Sequence, residues 1–371
     1  MEGTRTRRRP PGLPGLTSGP KRHSRLPLTA IGLFAALVLT ACASGKATTG
    51  ATSQPAAGAS SAAANTAGSG GGKVSLFVIG GKSDDPFWSA VKRGADDAAK
   101  VVKANGGNVT WLGPQNYDNL GPDAAKLILS AKSQGATAII GADWVPEAQN
   151  DAFKAASSGG VPVFLFNAGG AEQAKNVGAL TYTGSEEQLA GKAGGEFFAK
   201  NGAKNVLCVN TLPGAVNTEA RCKGVAEGMS GGGGKSTQLP LPSSNFGNPT
   251  AVTQAIKSAL LKDDSIDGVV TISTGDADSS AAAIEQAGGG AKIKLGTFDM
   301  NEAQLNRIKA GKQLFCIDQQ PYLQGYLAVS QAYAYNAYGL LISQNTLLTG
   351  PAIINAGNVD AAISGVQAGV R

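Results

Sequence analysis

The residues of this chain best suited to chemistry stand at two successive strand ends. Residues 293–298 form an apolar run that closes on the acid Asp299. A second run, 313–317, closes on Asp318, Gln319 and Gln320 before Pro321 stops the pairing. A short helix over 302–310 separates the two. A strand that finishes on a carboxylate presents it at the sheet's carboxyl edge, where open α/β sheets bind ligands. Carboxylates and side-chain amides together hold hydroxyls through paired hydrogen bonds. The chemistry implied is the grip of a small polyhydroxylated ligand. The competing role for Asp299 is a cap on the helix that follows, ahead of Asn301 and Glu302.

Composition narrows the classes. The chain holds one histidine, His23, within a basic leader. A product that has lost the leader therefore has no His general base, no His metal ligand and no Ser-His or Cys-His nucleophile. The formal charge of +6 also belongs to the leader, since residues 1–42 carry seven Lys or Arg and one Glu. The remainder balances 25 basic against 25 acidic residues, which gives no support for nucleic-acid binding. A length of 371 residues leaves room for two domains of ordinary size.

Residues 28–39 are a twelve-residue apolar run, short for a bilayer span and suited to a signal-peptide core. They run into Leu39-Thr40-Ala41-Cys42, which resembles a bacterial lipobox, the motif in which Cys42 is lipidated and becomes the mature amino terminus. The other reading is a signal-anchor helix with an incidental cysteine. Residues 43–72 are rich in Ala, Ser, Thr and Gly, with no aromatic or branched aliphatic side chain. Such a segment buries too little to offset its ordering entropy and reads as a flexible tether. The expectation is an exported protein anchored to the outer face of the cytoplasmic membrane.

The elements that must position the candidate groups follow from period and punctuation. Strands are expected at 74–80, 109–112, 138–142 and 161–166, with helices opening on Pro86, over 124–133 and over 146–156. This alternation is the signature of a parallel sheet with right-handed crossovers. Trp144 and Asn167 follow two of those strands. A helix is expected to begin near Ser185, capped by its hydroxyl with Glu186 and Glu187 in the first turn. A strand at 205–209 leads to a helix bearing Glu219, Arg221 and Gly224. Cys208 and Cys222 close a fifteen-residue loop that an exported protein would lock as a disulfide, leaving Cys316 as a buried thiol. No cysteine spacing supports a metal site. The run GGGGKS at 231–236 fails as a P-loop, because Met229 stands at the required first glycine and the run follows a helix, so it reads as a loop. Beyond it come a helix at 250–261, a strand at 266–272, a turn at Thr274-Gly275-Asp276, a Tyr-rich helix from Pro321 to about Ser343 and a last strand at 352–355.

The FDMN of 298–301, followed by the IDQQPYLQGY of 317–326, resembles the sugar-binding proteins that feed bacterial ABC importers, the ribose-type (type I) periplasmic binding proteins. The resemblance covers roughly residues 74–371. It implies an α/β fold of two doubly wound parallel-sheet lobes joined by three crossovers, with the sugar in the cleft between them. The first lobe would comprise 73–184 plus 319–350 and the second 185–318 plus 351–371. It implies a polar contact from Asp85 and stacking of Phe87 and Trp88 on the apolar face of a sugar. It assigns Arg221, three residues before Gly224, a guanidinium fork for two ring hydroxyls. Phe246 corresponds to a cleft aromatic, Asp276 to half of an Asn-Asp pair, and Gln319 to a ligand group beside a hinge. Asn167-Ala168 stands where the ribose-type pattern has Asp-Arg, which withdraws support for ribose or galactose. Trp144 is a further candidate for the cleft wall.

Asp299, Gln319 and Arg221 arrive from three different elements and are expected to meet only around a shared ligand. The implied function is the lipid-anchored solute-binding subunit of an ABC importer. It would be monomeric and free of cofactors, with a sugar or sugar-like polyol as ligand and permease and ATPase subunits as partners. A ligand sensor or signal-molecule receptor would use the same fold with a different partner. An enzyme using Asp85, Asp276 and Asp299 would need one protonated acid at a defined separation from its partner, and no enzyme is expected.

Overall fold

The computed structural model describes residues 73–371; the leader, Cys42 and the tether lie outside the described residues. The first sheet is built from β1 (Ser75–Ile79), β2 (Asn108–Leu112), β3 (Ala138–Gly141), β4 (Val163–Phe166) and β5 (Tyr182–Ser185). The second uses β6 (Asn205–Asn210), β7 (Lys235–Pro240), β8 (Gly268–Thr271), β9 (Lys294–Phe298) and β10 (Phe315–Asp318). Late in the chain β11 (Thr346–Gly350) joins the first sheet beside β5, and β12 (Ala352–Ile354) joins the second beside β10. The orders β2-β1-β3-β4-β5-β11 and β7-β6-β8-β9-β10-β12 are the same winding used twice. Every pairing is parallel except β10 with β12, an antiparallel edge that departs from the purely parallel sheets expected.

The inner strands β1, β3, β4, β6 and β8 are largely apolar because helices cover both faces of each sheet. Along β1, Leu76 and Val78 enter the core on one face while Phe77 and Ile79 enter the core on the other. The first lobe carries α1 (Pro86–Ala104), α2 (Leu120–Ser133), α3 (Pro146–Ser158) and the short α4 (Gly170–Asn176). The second carries α5 (Glu187–Lys200), α6 (Val216–Gly231), α7 (Pro249–Lys262), α8 (Thr274–Gln286) and α9 (Glu302–Lys309). Then α10 (Pro321–Tyr338) returns to pack on α1, and α11 (Val359–Gln367) packs on α9. Two helix crossings depend on glycine. A side chain on Gly94 or Gly325 would enter the α10 or α1 backbone, and one on Gly191 or Gly224 the α6 or α5 backbone.

Several expected boundaries shift. Residues 182–185 form a strand whose ladder continues through Ser185, and the helix begins at Glu187. Ser185 therefore caps nothing; Glu186 holds the cap position without a side-chain bond. The expected turn at 274–276 is the first turn of α8, capped by the Ser273 hydroxyl on the Asp276 amide. The glycine run ends α6 and passes into β7, so Lys235 and Ser236 are strand residues. The long helix stops at Tyr338 because Gly339 takes a left-handed conformation, φ 67°.

The chain crosses between sheets after β5, after β10 and after β11. The three crossings touch. The Thr349 hydroxyl donates to the Gln319 carbonyl at 2.8 Å, and Gln320 Nε2 donates to the Thr349 carbonyl at 2.7 Å. A Cβ on Gly350 would lie 2.8 Å from the Asp318 carbonyl oxygen and 3.5 Å from Ser185 Oγ.

Candidate functional site

A cavity of about 310 Å³ lies between the carboxyl edges of the two sheets. All ten residues singled out in the sequence line it: Asp85, Phe87, Trp88, Trp144, Asn167, Arg221, Phe246, Asp276, Asp299 and Gln319. The first lobe supplies an aromatic wall. Trp88 meets Phe87, Trp144, Trp111 and Phe166 edge to face, with ring centroids 5.2 to 6.2 Å apart. Gly80 and Gly81 make that cluster possible, since a side chain on either would occupy the space of the Trp111 or Trp88 indole. Trp88 and Trp144 are thus at once core and cavity wall, while Phe87 is half-buried.

Asp85 is occupied locally. Its carboxylate caps α1, accepting from the Phe87 and Trp88 amides at 2.9 and 3.3 Å, and the Tyr117 hydroxyl donates to its second oxygen at 3.3 Å. Burial raises its pKa against the pull of those donors.

The polar side of the cavity comes mainly from the second lobe, and its groups are linked to one another. Arg221 Nε donates to Glu187 at 2.7 Å, and Nη2 donates both to Glu187 at 3.3 Å and to Gln319 Oε1 at 2.9 Å. Nη1 donates to the Ile272 carbonyl at 3.0 Å, and the guanidinium lies over the Phe298 ring at 4.5 Å. Gln319 Nε2 in turn donates to an Asp299 carboxylate oxygen. The three groups expected to meet only around a ligand therefore meet directly. The reason is Glu187, which fixes the guanidinium beside the crossover that carries Gln319. Four of the five Arg221 N–H positions are used, so one rather than two remains for a further acceptor.

Asp299 is no helix cap; Asn301 caps α9 in a reciprocal pair with Gln304. Asp299 instead takes φ 64°, a left-handed conformation shared among non-glycine described residues only with Asn167 (φ 61°) and Gln320 (φ 52°). Two of the three line the cavity and the third begins a crossover, which matches the tendency of backbone strain to collect at functional sites. Burial lifts the Asp299 carboxyl to about 7, opposed by Arg221 and by the Gln319 hydrogen bond. Asp276 is lifted by burial to about 6 and accepts from the Thr211 hydroxyl at 2.7 Å. Asn167 donates from its amide to Gln324 at 3.2 Å.

Other lining residues were not anticipated. Asn217 and Thr218 lie four and three positions before Arg221 on α6, a helical spacing that puts them on its face. Tyr117 stands alone as an aromatic in a Gly, Pro, Asn and Asp loop, where it meets Phe246 of the second lobe at 5.0 Å. Both signals were present in the sequence. Glu187, 34 residues from Arg221, gave none. Cys208 and Cys222 are joined in a disulfide that ties α6 to β6 one residue from Arg221, and Cys316 is a buried free thiol.

Residues 74–339 match the family model described as periplasmic binding protein domain. The chain belongs to the periplasmic binding protein family. Within it, a carbohydrate transporter from Acidothermus cellulolyticus 11B, solved in complex with myo-inositol, is 32% identical. That comparison covers 81% of this chain and 100% of the other, with a TM-score of 0.73. The xylose/arabinose-binding protein XylF of Sulfolobus acidocaldarius is 25% identical over 299 residues, 76% of this chain and 71% of its own. A solute-binding protein from Burkholderia graminis, in complex with D-arabinose, shares the fold at 22% identity and a TM-score of 0.68, over 78% of this chain and 98% of the other.

Proposed function

We propose that this protein is the extracytoplasmic, lipid-anchored solute-binding subunit of an ABC importer, capturing a sugar or sugar-like polyol between its lobes and delivering it to a permease. The observation that carries the reading is the division of one small cavity into an aromatic wall and a facing set of carboxylate, amide and guanidinium groups. A cyclic polyol has the matching anatomy, an apolar face ringed by hydroxyls. The cavity volume of about 310 Å³ is at the small end for ligand pockets and suits a single ring.

Binding without chemistry accounts for the groups present. Asp299, Asp276, Gln319, Asn167 and the last Arg221 N–H would orient hydroxyls, and an analogue lacking one would leave a buried group unpaired. Ligand held by both lobes favours the closed form, which a transporter can recognise. A sensor would use the same cleft and differ in the partner that reads closure. Calorimetric titration with myo-inositol, D-xylose, L-arabinose and D-glucose tests the ligand class. Saturable binding of at least one is expected, and failure of every pentose, hexose and cyclitol would overturn the reading.

A further inference from the structure

The loop from β6 to α6 reaches across the cleft and touches the first lobe. The Val216 amide donates to the Trp144 carbonyl at 2.8 Å. Neither group has a backbone partner in its own lobe. Val216 is the first residue of α6, and the first N–H groups of a helix have no carbonyl one turn back. On the other side, Pro146 has no N–H, and the Ala148 and Gln149 amides both donate to Val145. Around this bond Leu212 and Ala215 of the second lobe belong to the same apolar cluster as Trp88, Trp144 and Tyr117 of the first.

The loop is also held by hydrogen bonds from within its own lobe. Asn210 Oδ1 accepts from the Leu212 amide at 2.9 Å, the Thr218 hydroxyl donates to the Leu212 carbonyl at 2.8 Å, and Glu219 accepts from the Gly214 amide at 3.0 Å. All three holders belong to the second lobe, so docking orders little that is not already fixed.

We infer that the Val216–Trp144 bond and the packing of Leu212 and Ala215 against the first lobe's aromatic cluster form a ligand-independent clasp that keeps part of the ligand-free population closed. A ligand then draws on a closed state that already exists, and its apparent affinity scales with that state's population. The inference rests on the proposed function only for this effect on affinity.

The bond can be removed alone. Proline is well accepted at the first helical position, so V216P deletes the donor and keeps α6, while V216A keeps the donor. The three tryptophans of the chain all lie in the first lobe's aromatic cluster, so their quenching by acrylamide in the ligand-free full chain reports opening. Stronger quenching and a red-shifted emission are expected in V216P, with V216A like the unaltered protein. Affinity for myo-inositol as probe should fall roughly 2- to 10-fold in V216P. Equal quenching in V216P and V216A overturns the clasp. Should V216P lose its cooperative melting, L212A replaces it, and quenching equal to that of the unaltered protein again overturns the clasp. Failure of every variant to bind myo-inositol counts against that ligand alone, and the ligand-free quenching still decides the clasp.

Discussion

Arg221 donates to Gln319 at 2.9 Å, and so a helix of the second lobe is bonded to the segment on which the chain crosses back to the first. Glu187, just past the first crossover, holds the same guanidinium at 2.7 Å. One buried cation thus joins two crossovers to the cavity wall.

This sets different expectations for three substitutions. D299A and Q319A remove groups that face the cavity and should weaken ligand binding by roughly 1–3 kcal/mol each, about 5- to 150-fold. R221A should also lower the melting temperature, because it leaves Glu187 buried and unpaired, at a cost of about 3–5 kcal/mol. Calorimetry and thermal melts of the three variants separate the effects. A melting temperature for R221A equal to that of the unaltered protein would show that the ion pair contributes nothing to the fold.

The strand ends at Asp299 and Gln319 were legible because an apolar run that stops at polar residues and a proline is a local signal. The same holds for the aromatic corner after Pro86. What stayed hidden depends on contacts distant in sequence. Tyr182–Ser185 is a strand because it pairs with β4 on one side and β11 on the other, and Thr346–Gly350 because it closes that edge of the sheet, although YTGS and TLLTG carry no alternation. The sequence Ser185-Glu186-Glu187 has the composition of a helix cap, yet pairing with β11 extends the strand through Ser185. Glu187 is drawn inward to Arg221. Periodicity could not show that the arginine arrives already paired.

Gly350 should be the sensitive point of the hinge. The nearest atoms to an added Cβ are the Asp318 carbonyl oxygen at 2.8 Å and Gln319 Cα at 3.1 Å, and backbone cannot move aside as a side-chain tip can. G350A is expected to destabilise the chain by about 1–3 kcal/mol through overpacking, and to weaken ligand binding by displacing Gln319. Melting and titration curves that overlay those of the unaltered protein would show that the crossovers tolerate independent shifts.

Membrane attachment tests the leader. C42A should abolish lipid modification and move the protein from the membrane fraction to the soluble one, or leave it unprocessed, while binding by the folded domain persists. Fractionation followed by mass measurement distinguishes these outcomes. Full membrane retention of a normally cleaved C42A protein would remove the lipobox from the account.

The last expectation concerns pH. Asp299 titrates near the ordinary carboxylate value when unfolded and at about 7 in the folded, ligand-free chain. Between those values the folded chain holds more protons than the unfolded one. Its contribution to stability therefore falls as pH rises from about 4 to about 7 and is level above that. Asp276, at about 6, acts in the same direction over a narrower window. Ligand binding should run the other way. A ligand hydroxyl that donates to Asp299 bonds more strongly to the ionised form, so binding near neutral pH should release a fraction of a proton. Affinity should tighten by up to about tenfold per pH unit below the folded pKa and flatten above it. Titrations between about pH 5.5 and about pH 8.5, repeated in buffers of different ionisation enthalpy, measure both the slope and the proton released. D299N should remove most of the slope, because its side chain cannot titrate. An affinity that is flat across that range in the unaltered protein would mean that Asp299 does not accept the ligand's hydrogen bond as a carboxylate.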